Sequence, residues 1–479
     1  MTTMTLEGWA RAPKVGVMLP DAHDPGWVDA ALWCALLEAW GFRADRISPP
    51  DVSKAGCTTL VVPTASLDGP LLGLLGDLDP TTLLLVGSAG AVPPLPGVHR
   101  FPETATTLDA HTTEGIVDRA YEALLDAAGH GLVGIWRWPG AADAALVVDG
   151  DVDHPTGVEP ECARYVAPAI ETMRRAGFPA YGIFAAAANV DAEPHSFPPG
   201  AEYYNHSFSH PYSHWNPEPW ESLTDVEMIE EIVRSDETLE DRLGHDDRGL
   251  FRLPHFQLEA SSRTYAVLDR LGYRAESSIG SNLSITGGLP FHPALEPWSD
   301  RPQDAGHART HPDPSRRHRI LQIPISTDPT DVDFPNGCCS YNTLGERVRN
   351  RTADPRAYEE VLEAVLDTAI SRQGLAHLFI DPPDAGYGRL EGDTADYAGA
   401  LEWWLGRAVT RPDRPRIMTL AELAGWWLAR EEAVARMTCT IEEGRLLVDI
   451  PDAPPGASLT VRDPSGARMR VPLIPAVAP

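Results

Sequence analysis

The chain has 479 residues, 43% of them hydrophobic and 23% charged. Those are globular proportions that exclude wholesale disorder and collagen-like sequence and imply about three domains. The formal charge of −30 is the opposite of the basic surface that phosphate-tracking proteins need, and an anionic membrane would repel it. The expected partner is therefore neutral or a small molecule, with no nucleic acid and no membrane; the oligomeric state is open. The first residues lack the apolar core of a secretory signal. The 6 cysteines form no CxxC pair, and Cys338 and Cys339 are adjacent, poor geometry for a disulfide. Reduced thiols and a cytoplasmic setting are expected.

In chain order, Lys14–Leu19, Thr59–Val62 and Thr82–Val86 are predicted buried strands, and Trp27–Trp40 a helix ending at Gly41. Apolar runs separated by helices predict a parallel sheet covered on both faces. This unit, placed at 10–130, resembles the flavodoxin-like domain of class I glutamine amidotransferases. That family carries a nucleophilic Cys after a strand; here the turn is Gly87-Ser88-Ala89-Gly90, so an accessory role is expected.

A second segment opens with the strand Ala144–Val148, followed by a helix over Pro160–Ala176 closed by Gly177 and a strand over Tyr181–Ala185. Thr224-x-x-Glu227 is a capping box opening a helix whose apolar positions are Val226, Ile229, Val233, Leu239 and Leu243. Leu250–Leu253, Leu321–Ile325 and Leu375–Ile380 are further strands. Asp354-Pro355 starts a helix ending at Gly374. Such alternation predicts an α/β fold, a (β/α) barrel over 140–432. Residues 296–319, rich in Pro, Asp, Arg and His, read as an exposed loop. Four short strand-like runs from Thr438 to Leu473 predict a small antiparallel, sandwich-like β module over 436–479.

Three features of the middle segment carry chemistry. Asp149, Asp151 and Asp153 end a predicted strand at alternate positions. A turn needs a single Asp, whereas stacked carboxylates are costly unless a cation neutralises them. His206-x₃-His210 can place two imidazoles on one metal. A third His at the same interval, His214, would arise by chance on the order of 2% of the time, although Pro211 breaks any continuous helix. Arg252, after a strand, can orient a carboxylate.

Taken in this order, the Asp149–Asp153 cluster, His206-Ser207 with His210, and Arg252-x-Pro254 resemble the polysaccharide deacetylases, the carbohydrate esterases with a NodB homology domain. The run Gly272–Ser278 matches that family as well. The resemblance spans about 143–430 and implies a NodB-like barrel, for which a distorted seven-stranded form is one option. It also implies hydrolysis of an N-acetyl or O-acetyl group, with release of acetate from an amino-sugar-containing substrate. A divalent metal, zinc first and cobalt or another ion second, would be held by Asp153, His206 and His210. Asp151 would be the base and Arg252 its orienting partner; the pairing Asp149 as base with Asp151 as ligand stays open. Where the family ends a strand with an acid His, this chain has Asp381, so Asp381 is expected to serve as the acid, and His377 stands four residues earlier. Two other readings remain: a non-catalytic carbohydrate-binding relative, and a metal-dependent hydrolase of a small cytosolic amide.

Overall fold

A computed structural model describes residues 14–18, 33–35, 37–40, 43–47, 59–62, 83–86, 98–100, 133–153, 163–178, 181–211, 220–244, 249–254, 262–281, 288–290, 292, 318–326, 355–383, 397–413, 415–442, 445–462 and 468–473. Near the N-terminus, β1 (Lys14–Met18), β2 (Arg43–Ile47), β3 (Thr59–Val62), β4 (Leu83–Val86) and β5 (Val98–Arg100) form one parallel sheet in the order β2-β1-β3-β4-β5. The sequence reading missed β2 and β5. Both are edge strands, and their Arg-containing segments lack the apolar run that marks a strand covered on both faces. Residues 33–35 and 37–40 are helical, within the predicted helix. The Gly87–Gly90 turn and the 296–317 part of the predicted loop lie outside the described residues.

After β6 (Val133–Ile135) comes the main sheet. Its strands are β7 (Ala145–Val152), β8 (Gly182–Ala185), β9 (Glu202–Asn205), β10 (Leu250–Phe251), β11 (Ala275–Glu276), β12 (Leu321–Gln322) and β13 (Leu375–Phe379). They run parallel in the order β12-β11-β10-β9-β8-β7-β13, and β14 (Arg416–Ile417) pairs with the start of β7. The two ends of the run meet, because the Ser326 amide donates to the His377 carbonyl at 2.9 Å. The sheet therefore curls into the predicted barrel-like parallel arrangement. The helices are α1 (Val166–Arg175), α2 (Ala187–Ala192), α3 (Asp225–Leu243), α4 (Ser262–Leu271), α5 (Pro355–Ser371), α6 (Tyr397–Thr410) and α7 (Leu420–Arg436).

Strand alternation sorts the core into two layers. Leu146, Val148, Ile183, Tyr203, Ala376 and Leu378 face outward and pack with α1, α5 and α6. Ala145, Val147, Phe184, Tyr204, Leu250, Ala275, Leu321 and Leu375 face inward. This inner cluster continues through Leu423 and Trp427 of α7 and Trp138 to Val17, Trp33 and Leu37 of the N-terminal elements. Along β7, β9, β10 and β13, the next inward positions beyond these apolar ones hold Asp149, His206, Arg252 and His377.

Helix α3 has the predicted capping box, with Thr224 Oγ1 accepting from the Glu227 amide and Glu227 accepting from the Thr224 amide. Its buried face differs from the predicted one. Met228, Ile232, Ser235 and Leu239 are buried, whereas Val226 is 63% exposed. The rotation turns Glu231, polar and invisible to an apolar count, toward the His206–His210 segment. Toward the C-terminus, β15 (Thr438–Glu442) pairs antiparallel with β16 (Arg445–Asp449), and β17 (Ser458–Arg462) with β18 (Arg468–Pro472). β17 also pairs antiparallel with β6, so that sheet recruits residues from before the barrel. Among the described residues no helix is long and apolar enough to cross a membrane.

Candidate metal centre and its buried charge chain

With Ala145 and Val147 inward, period two places Asp149, Asp151 and Asp153 on the same interior face at the C-terminal end of β7. His206 follows inward-facing Tyr204, Arg252 follows Leu250, and His377 follows Leu375. The fold thus brings all six predicted residues, Asp151, Asp153, His206, His210, Arg252 and Asp381, to one end of the barrel. That is where parallel barrels gather chemistry.

Asp153, His206 and His210 each offer one ligand atom, and these atoms lie within 4.8 Å of one another. Asp153 Oδ1 is 3.1 Å from His206 Nε2 and 3.4 Å from His210 Nε2. Ligands about 2.1 Å from a shared tetrahedral ion sit about 3.4 Å apart, so the spacing fits. The His206 tautomer fits as well. Its Nδ1–H donates to the Arg252 carbonyl at 2.9 Å, which leaves the Nε2 lone pair facing Asp153. One carboxylate and two imidazoles suit zinc or a similar divalent ion.

Beside this cluster runs a buried chain of charge. Arg252, fully buried, donates from Nη1 to Asp151 Oδ1 at 2.7 Å, from Nη2 to Asp149 Oδ2 at 2.9 Å and from Nε to the Ser277 carbonyl at 2.7 Å. The Phe184 ring lies 4.0 Å from its guanidinium carbon. His377, unassigned by the sequence reading, is also fully buried. Its nitrogens face Asp149 Oδ2 at 2.7 Å and the Pro324 carbonyl at 3.1 Å, so both must donate for the two bonds to form. A signal existed: in Leu375–Phe379 the His occupies an inward position of an apolar strand, where an imidazole needs a partner.

The two carboxylates differ electrostatically. Burial opposes ionisation of Asp149, but Arg252 and His377 outweigh it and hold its carboxyl below the usual range. Burial pushes Asp151 up to about 6 despite Arg252 and His206, with Asp153 adding to the rise. Burial likewise opposes the His206 imidazolium, but Asp151 and Asp153 overcome it and raise its pKa. Asp381 Oδ1 accepts the Asp151 amide at 2.7 Å, so this carboxyl is tied to the strand that carries Asp151.

No family model matches the chain, and no curated protein matches it. Several solved structures resemble its fold. A carbohydrate deacetylase, Agd3, shares 10% identity at a TM-score of 0.41, the match covering 99% of this chain and 94% of that one. A peptidoglycan deacetylase from Bacillus subtilis shares 12% identity at a TM-score of 0.28, over 60% of this chain and 94% of the other. A CE4 family pseudoenzyme from Bacillus anthracis shares 10% at 0.31, over 60% and 68%. Likeness this distant leaves the functional reading to rest on the geometry of the site.

Proposed function

We propose that the chain is a metal-dependent deacetylase that removes the N-acetyl or O-acetyl group of an amino-sugar-containing saccharide or glycoside. The observation that carries this reading is the triad Asp153, His206 and His210, with ligand atoms within 4.8 Å of one another, beside a carboxylate held by Arg252. Those three residues would hold zinc or another divalent ion, which when bound would acidify water and polarise an acyl carbonyl.

The protein's own groups supply the rest. Arg252 occupies Asp151 Oδ1, while Asp151 Oδ2 lies 3.6 Å from His206 Nε2, on the side of the metal ligands. Asp151 Oδ2 takes a proton from the attacking water as its oxygen bonds to the acyl carbon. A pKa of about 6 leaves Asp151 roughly ten-to-one ionised at pH 7 while keeping it basic enough to accept that proton. The bond from the acyl carbon to nitrogen or oxygen then breaks, and Asp381, in its protonated form, delivers its proton to the departing group, while the proton that Asp151 took from water is later released to restore both carboxyls. Asp149 serves neither as base nor as ligand here; it holds Arg252 from the far side. The strand order β2-β1-β3-β4-β5 supports a flavodoxin-like reading of 10–130 as an accessory unit.

A second reading, a saccharide-binding relative without activity, is favoured by one observation: Asp381 Oδ1 is engaged with the Asp151 amide. Zinc-loaded protein decides between them. The enzyme reading expects about one zinc per chain and acetate release from N-acetylglucosamine oligomers. Asp151→Asn is expected to lower the rate about 10²–10⁴-fold with zinc retained. Absence of zinc after loading, or equal rates for the two proteins, would sink the enzyme reading; glycan binding without acetate release would establish the second.

A further inference from the structure

Of the bonds that hold the segment joining the two imidazoles, Ser207–Ser209, three go to one side chain. Glu231, on the second turn of α3, accepts the Phe208 amide at 3.0 Å and the Ser209 amide at 2.7 Å through Oε2. Its Oε1 accepts the Ser209 hydroxyl at 2.8 Å. The turn is not one that ordinary residues adopt freely. Ser207 has φ 65° and His210 φ 51°, both left-handed and neither glycine. Such conformations cost on the order of 1–3 kcal/mol each and persist only where the surroundings over-determine them.

Other bonds to the turn come from α2 and from the turn itself: the Ala187 amide donates to the Ser207 carbonyl at 3.0 Å and the Ala188 amide to the Phe208 carbonyl at 2.9 Å. The Ser207 amide donates to Asn205 Oδ1 at 2.8 Å, and the His210 amide to Ser207 Oγ at 3.1 Å. From α3, Glu231 holds the backbone of the turn, while the Arg234 guanidinium lies over the Phe208 ring, 3.5 Å from its centroid. The Glu231 carboxylate sits against two successive backbone amides, an arrangement that binds anions well. Asn205 ties the same helix a turn later, through Nδ2 to the Ile232 carbonyl and Asp236.

We infer that Glu231 is a positioning residue that sets the spacing of His206 and His210 for a divalent cation. The inference rests on the metal reading above. Without the carboxylate, the two amides lose their acceptor, and α3 no longer holds the backbone of the strained turn through Glu231. His210 then leaves the spacing at which it and His206 share an ion. Residues acting on ligands in this way typically change metal affinity 10–100-fold.

The test is zinc affinity, measured by competition with a chromophoric chelator for wild type, Glu231→Gln and Glu231→Ala, alongside the visible spectrum of the cobalt-loaded proteins. Glu231→Gln keeps an acceptor oxygen for the amides and guards against misfolding of the alanine variant. Glu227→Gln, which weakens the cap of the same helix, controls for a loss of helix stability alone. The expected result is a graded loss of zinc affinity, Gln smaller than Ala and Ala about 10–100-fold. The cobalt spectrum should shift, and Glu227→Gln should change melting temperature but not zinc affinity. Equal affinity and identical spectra for wild type and both Glu231 variants would overturn the inference. So would a loss in Glu227→Gln matching that in Glu231→Gln. A wild type that takes up no zinc would overturn the metal reading itself.

Discussion

Asp149 and Asp151 stand two residues apart on one strand, are both buried and touch the same guanidinium, yet their acidities diverge. Each has an imidazole nearby, but His377 hydrogen-bonds the Asp149 carboxylate, whereas His206 lies 3.6 Å from Asp151, which also has Asp153 as a like-charged neighbour. A third buried carboxyl has less help still. Burial pushes Glu276 up to about 7, against hydrogen bonds from Ser278 and Gln322 and the field of Arg252. Above the usual 4.5 the unfolded chain releases this proton while the folded one keeps it. Stability from this group is therefore full at low pH, declines as pH rises from 4.5 and levels off above 7. Glu276→Gln removes that dependence. Its stability relative to wild type should rise by on the order of 2 kcal/mol between about pH 5 and pH 8, read from denaturant midpoints; parallel profiles would count against it. At this scale the sequence was most readable where chemistry repeats at alternate positions, as in Asp149, Asp151 and Asp153. Glu231 and Glu276 were unreadable, since nothing local distinguishes a carboxylate that reaches a distant amide, as Glu231 reaches Ser209 and Glu276 the Gln322 side chain, from one in solvent.

Among elements, the pairing of β7 with β13 matters most. A Cβ on Gly150 would lie 2.3 Å from the Ile380 carbonyl oxygen, so glycine here permits the close approach between the two aspartates. Gly150→Ala is expected to destabilise the protein by about 1–3 kcal/mol through overpacking. Acetate release should fall as well, because Asp149 and Asp151 flank the displaced backbone. A thermal melt unchanged from wild type would contradict the tight contact. Strands with continuous apolar runs were legible, β3 and β13 among them. Edge strands β2 and β5 were not, because one-sided pairing tolerates Arg. The rotation of α3 was misread because apolar spacing allowed two neighbouring faces and polar contacts chose between them.

For the whole molecule, the pairing that joins the tail to residues before the barrel is the least local. β17 and β6 lie more than three hundred residues apart, yet Leu459 pairs with Ile135, and the Trp136 amide donates to the Ser458 carbonyl at 2.7 Å. Arg430 of α7 donates to the carbonyls of Ile135 and Ala39, reaching the N-terminal elements from the barrel's last helix. Removal of residues 451–479 should therefore lower the melting temperature of the barrel itself, seen by calorimetry as a shift of its main transition. A barrel transition at the wild-type temperature would show the tail to be energetically separate. No sequence window contains both partners of such a ladder, which is why 436–479 looked self-contained.

The closure at Ser326 has a kinetic consequence. There the barrel's edge is sealed partly by a hydroxyl: the His377 amide donates to Ser326 Oγ at 2.9 Å, and that hydroxyl donates to the Leu375 carbonyl at 3.2 Å. A seam of this kind opens when the Ser326 hydroxyl, one backbone bond and the contact of the His377 ring with the Pro324 carbonyl let go, with no long ladder to unzip. The residue it exposes is the one whose ring holds Asp149. Deuterium uptake at the His377 amide would therefore time the breathing of the barrel and, in the same event, the loosening of the charge chain behind Asp151.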